Sequence, residues 1–179
     1  MADGFVIVQC GKMNEVKPIA LDLSNYAKAI GAGERVNRHA ASLLKNAEDG
    51  DLGSFKNNLA LIQSDVEQEL ASLRDSDMAN LIGLGGWIRA LDAATAALDN
   101  KFSEDKAKVI FQPDVPEYFH YILDGVEPEM KERRDIGKIM ELLTTLQEQM
   151  TLAPGAKPTK AGVEALRKTT LKSVSYTHL

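Results

Sequence analysis

Apolar residues along this chain recur at steps of three and four, and the alternation that marks strands is almost missing. The pattern therefore predicts helices and no sheet. The cleanest case is residues 52–73. There Leu52, Phe55, Leu59, Ile62, Val66, Leu70 and Leu73 form an apolar seam of the kind that packs in helix bundles. Upstream, Tyr26, Ile30, Val36, Ala40, Leu43 and Leu44 mark a helix after Pro18, with Asp22 or Ser24 as its N-cap and Gly50 just past its end. A third long helix runs from Met78 to Asn100. A fourth starts at Pro128 and carries the seam Ile136, Ile139, Met140, Leu143, Leu146 and Met150. Short helices are expected after Ser103 and from Pro116, and a last one is capped by Thr159. The expected fold is all-α: an antiparallel bundle of four long helices with short capping helices at one end.

The third helix contains the least ordinary stretch, "NLIGLGGWIRALDAATAAL", residues 80–98. Its glycines lack the spacing of a dinucleotide fingerprint, no Lys-Ser/Thr pair follows them, and no strand precedes them, so the phosphate-loop readings fail. On a helical wheel Leu81, Leu84, Ile88, Leu91, Leu98 and Phe102 share one broad side. Gly83, Gly86, Ala90, Ala93 or Ala94, and Ala97 fall on the adjoining side. Three glycines in a helix interior cost roughly 2.5–3 kcal/mol relative to alanine. The expectation is that another helix packs closely on this stripe and returns that cost; a bend in the helix is the alternative. If the stripe is instead left open, it is a route to self-association as a homo-oligomer.

Composition changes the picture little; charge changes it more. With 179 residues and a net charge of −5, the chain suits a soluble globular domain. Lys157, Lys160, Arg167, Lys168 and Lys172 against Glu164 give residues 153–173 a charge of +4, leaving −9 for residues 1–152. The expected division is a helical bundle over 1–152 and a linker with a basic C-terminal helix over 153–173. Residues 174–179, "VSYTHL", resemble translated sequencing-adaptor read-through and are expected not to be native. An acidic body argues against nucleic acid as its partner, while the basic arm has an acidic surface within its own chain to meet. No run of about 18 uncharged apolar residues exists, so no transmembrane segment is expected. Cys10 stands alone, which excludes an intrachain disulfide. "FVIVQC", residues 5–10, is too short and wrongly flanked for a signal peptide. The compartment stays open: cytoplasmic for the chain as it stands, periplasmic if a leader has been lost. In its helical patterning the chain resembles uncharacterised helical-bundle proteins of environmental bacteria, some of them exported. That resemblance carries no motif and implies no activity.

Candidate chemistry is sparse. Arg89 and Asp92 lie three apart on the narrow polar edge of the third helix, either as a surface pair or as an arginine offered to a carboxylate or phosphate. Five of the nine aromatic residues ahead of the tail cluster at Phe102, Phe111, Tyr118, Phe119 and Tyr121. They either plug a bundle end or form a recognition patch. Glu117 and His120 make one E-x-x-H, an element that di-iron bundles use twice. His39 has no carboxylate at helical spacing. No nucleophile elbow, Cys/His pair or carboxylate dyad appears, so neither an enzyme nor a resident metal or cofactor is expected. The expected role is binding of a protein or small ligand through Phe111, Tyr118, Phe119, Tyr121, Arg89 and Asp92. A metalloprotein or enzyme built on Glu117 and His120, and a self-associating structural module, are the alternatives.

Overall fold

A computed structural model describes residues 2–12, 15–29, 49–72 and 76–177, together with positions 39, 42, 43, 45 and 46. The chain is all-α: among the described residues there are helices and no strand. The helices are α1 (Ala2–Gln9), α2 (Val16–Ala29), α3 (Leu52–Ser72), α4 (Ser76–Asn100), α5 (Glu104–Lys108), α6 (Asp114–Asp124), α7 (Pro128–Lys131), α8 (Arg134–Met150) and α9 (Lys160–Thr177). Ile30, Val36, Ala40, Leu44 and Leu73 of the expected seams lie outside the described residues, as do the side chains of Leu52 and Leu70. Contacts divide the chain into two compact units, Met1–Ala79 and Asn80–Leu179. The division expected after residue 152 does not coincide with this one.

In the first unit, α1 packs on α2 and α3. The run "FVIVQ", residues 5–9, belongs to this helix, which the apolar pattern did not single out. Its end is set by Gly11, at φ 70. There Gly11 N donates to Val8 O and Lys12 N to Ile7 O, each at 3.1 Å. This pair of bonds satisfies the last carbonyls of the helix, and only a residue at ease with positive φ permits it. Cys10 is exposed beside this turn. Helix α2 starts at Val16, ahead of Pro18, because a proline in the first turn lacks only an N–H that has no partner within the helix. Gly50 ends the preceding segment as expected, with φ 69 and Asp51 N donating to Asn46 O. Asp51 then caps α3 by accepting from Ser54 N at 3.0 Å. That backbone donor holds the Asp51 carboxyl below its ordinary range. Phe55, Leu59, Ile62 and Val66 of the expected α3 seam are all buried. Gly4 of α1 sits against Leu59, whose Cδ1 would lie 3.2 Å from an added Cβ.

In the second unit, α4 contributes to three successive apolar layers. Leu84 and Ile88 pack with Leu123 of α6 and with Ile139 and Leu143 of α8. Leu91 packs with Leu146, Met150 and Leu166. Leu98 packs with Ala107 and Val163. Rising numbers on α4 thus meet rising numbers on α8 and falling numbers on α9, so α9 runs antiparallel to both. Burying a large aliphatic side chain in such layers contributes about 1.5–3 kcal/mol. The C-terminal helix is therefore a core member of this unit. Its start follows the expected cap, with Gly162 N donating to Thr159 Oγ1 at 3.1 Å.

The expected fourth long helix is broken into α7 and α8. Arg133 takes an extended conformation between them, at φ −65 and ψ 130. Met130 lies partly buried in the first layer, where Ile139 and Leu143 also pack. In one continuous helix Met130 would point about 120° away from Ile136, the first residue of the α8 seam. The break re-phases the chain so that both can face the core.

The stretch "GLGG" is helical, as its lack of loop motifs implied: α4 is unbroken, and Gly83, Gly85 and Gly86 are absent from the positive-φ residues. Among the described residues, no close helix contact of the kind expected is made at the three glycines of the stripe region. A Cβ added at Gly85 or Gly86 would meet nothing within 4 Å, and one at Gly83 would make only ordinary contact with Phe119 at 3.9 Å. Helix α4 is also long and apolar enough to pass for a membrane span, at mean hydropathy 1.2, by length and composition only. The core helix of a soluble protein meets the same test, and Arg89 and Asp92 stand near its middle.

Candidate functional site

The aromatic end of the chain is organised by α6. Asp114 and Glu117 favour its first turn, and Pro116 falls where no intrahelical donor is lost. Pro116 and Leu123 are buried, and the helix packs on α8. Asp114, Glu117, Tyr118, Tyr121 and Asp124 are all exposed. On a helix these five positions share an arc of about 120°. The outer face of α6 therefore carries two phenol rings flanked by carboxylates.

Tyr118 and Phe119 are neighbours in sequence but point about 100° apart. Phe119 turns inward and packs against the layer of Leu84, Ile88 and Leu123. Its ring centroid lies 5.6 Å from that of Trp87 at an interplanar angle of 34°. Tyr118 meets Phe119 edge-on, with centroids 5.4 Å apart and planes at 65°. The aromatic series Trp87–Phe119–Tyr118 thus leads from the core to the surface, and it fixes a ring that remains 57% exposed. Tyr121, one turn further on, is 79% exposed.

The four-membered exposed patch is not formed. Phe111 packs against two apolar layers of the second unit, beside Leu91, Leu166, Leu98 and Val163. Like Phe119, it serves the core. Nearness in sequence did not separate the inward Phe119 from the outward Tyr118 and Tyr121; the period of α6 does.

Arg89 and Asp92 form an ion pair along α4, Arg89 Nη1 donating to Asp92 Oδ2 at 2.7 Å. Asp92 is buried, whereas Arg89 is half-buried. One carboxylate that Arg89 meets is thus on its own helix. Glu117 is exposed and His120 half-buried. Among the described residues no three His, Cys, Asp or Glu side chains converge as a metal site. His39 pairs with Asp65 of α3 at 3.0 Å, a long-range contact that sequence spacing could not reveal.

The charge asymmetry has a counterpart in the second unit. Lys157 pairs with Glu104 at 2.9 Å, and Arg167 pairs with Asp99. Both links tie the basic C-terminal segment to the acidic body. Lys157, with Lys108 adding to it, holds the Glu104 carboxyl below its ordinary value.

Hollows open among the described residues of this unit. One, of about 170 Å³, is lined by Trp87, Ala90, Leu91, Ala94, Val109 and Ile110. It is smaller than the roughly 300–1,000 Å³ of ordinary small-molecule sites. Another, of about 310 Å³, opens beside the Asp99–Arg167 pair and is lined by Asp99, Glu164, Arg167, Lys168 and Leu171. No family model, curated protein or solved structure matches this chain, so its own geometry alone bears on its function.

Proposed function

We propose that this chain is a non-enzymatic helical protein that acts by binding a protein partner at the outer face of α6. The observation that carries this reading is Tyr118, exposed yet fixed edge-on by Phe119, with Tyr121 exposed one turn away. Rigid, amphipathic rings of this kind make effective contact residues, because they supply area at little cost in conformational entropy. Phe111, Phe119, Arg89 and Asp92 enter this reading as supports of the fold and not as contact residues.

A photo-cross-linking residue in place of Tyr121 tests it, with Glu148, exposed on α8, as the control position. The expected result is a discrete adduct from position 121 and none from position 148 when each variant is irradiated in a lysate of its source cells. Identical adducts from both positions, or none from either, would count against a binding role for α6.

A further inference from the structure

The outer face of α6 carries more than two rings. From Val109 to Met130 the chain has five carboxylates and no lysine or arginine. Three of these, Asp114, Glu117 and Asp124, flank Tyr118 and Tyr121 on the exposed arc. Asp124 is engaged by Lys131. Asp114 and Glu117 form no ion pair among the described residues. Two open carboxylates thus stand beside a ring whose position the core determines.

This combination selects a partner by charge and by shape. An arginine or lysine side chain can lie across a tyrosine face, where the ring quadrupole attracts the cation, and place its head against a carboxylate. An anionic partner meets the opposite: phosphates and acidic lipid headgroups are repelled by the same carboxylates. Resting on the binding role given above, we infer that the α6 face docks an arginine- or lysine-rich segment of another protein, with Tyr118 and Tyr121 as stacking platforms and Asp114 and Glu117 as anchors.

The test uses the full chain and a fluorescent peptide alternating arginine with serine, with a glutamate–serine peptide as control, followed by anisotropy. Saturable binding of the arginine peptide alone is expected. Tyr118→Ala/Tyr121→Ala and Asp114→Asn/Glu117→Gln should each weaken it at least tenfold with helicity unchanged. Glu141→Gln/Glu148→Gln, removing the same charge from exposed positions of α8, should leave it unaltered. Absence of binding, equal binding of both peptides, or equal loss in all three variants would overturn the inference. So would a concentration-dependent mass abolished by the tyrosine substitutions, which would make the occupant a second copy of this chain. If the arginine peptide fails while position 121 still gives its specific adduct, the binding role survives and only the basic partner is refuted.

Discussion

Phe111 closes over Gly162 at the start of α9, its Cζ lying 3.1 Å from where a glycine Cβ would stand. Contact of this tightness was expected at the glycines of α4; among the described residues it is found instead at Gly162 and, against Leu59, at Gly4. Gly162→Ala must displace a ring that is packed between two core layers, so a net loss of stability is expected in spite of the better helix propensity of alanine. Gly85→Ala and Gly86→Ala meet open space inside a helix and should each stabilise by about 1 kcal/mol. Urea denaturation of the three variants checks both signs. Destabilisation by the α4 substitutions would mean that a partner or a second copy covers that stripe.

Phe119 links the core to the surface, and its removal should be felt at both ends. Phe119→Ala is expected to cost about 2–3 kcal/mol, below the value for a fully buried phenylalanine because the ring is only partly enclosed. Trp87, the one tryptophan in the chain, sits against that ring and reports the change. Its emission should shift to the red as water enters. An unchanged spectrum with unchanged stability would show that the aromatic series is not packed as described.

The Glu104–Lys157 pair makes a pH prediction. The Glu104 carboxyl is lowered from 4.5 by the lysine ammonium it accepts from. A carboxyl held lower in the folded state than in the unfolded one adds stability that is complete above the unfolded value and is lost as pH falls through the folded one. Glu104→Gln should therefore lower Tm slightly near neutrality, and the difference from the parent should shrink as pH falls below the ordinary carboxyl value of 4.5. Thermal melts across that range check it. A difference that grows on acidification would contradict the pairing.

Much of the fold was legible because helical period and core membership are the same information. Phe55, Leu59, Ile62 and Val66 of the α3 seam and the α8 residues Ile136, Ile139, Leu143, Leu146 and Met150 are buried as the spacing required. Thr159 and Gly50 act at the helix ends where their chemistry placed them. What escaped was set by contacts distant in sequence. The break at Arg133 has no proline or glycine to announce it; it exists because Met130 and the α8 seam must face one core. Phe111 looked like part of a surface cluster until its place over Gly162 was known. The basic segment gave a charge signal, but only folding could pair Arg167 with Asp99. At the site, the aromatic cluster was visible in the sequence, while the division into inward Phe119 and outward Tyr118 needed the register of α6.

The most direct test of a binding role for α6 is to compare the parent chain with Tyr118→Ala/Tyr121→Ala in affinity capture of the partner identified by cross-linking, alongside thermal melts. Both side chains are largely in solvent, so the double variant should melt within about 1 kcal/mol of the parent. It should also lose the partner by at least tenfold in Kd. A double variant that keeps its stability and captures the partner as tightly as the parent would contradict the account.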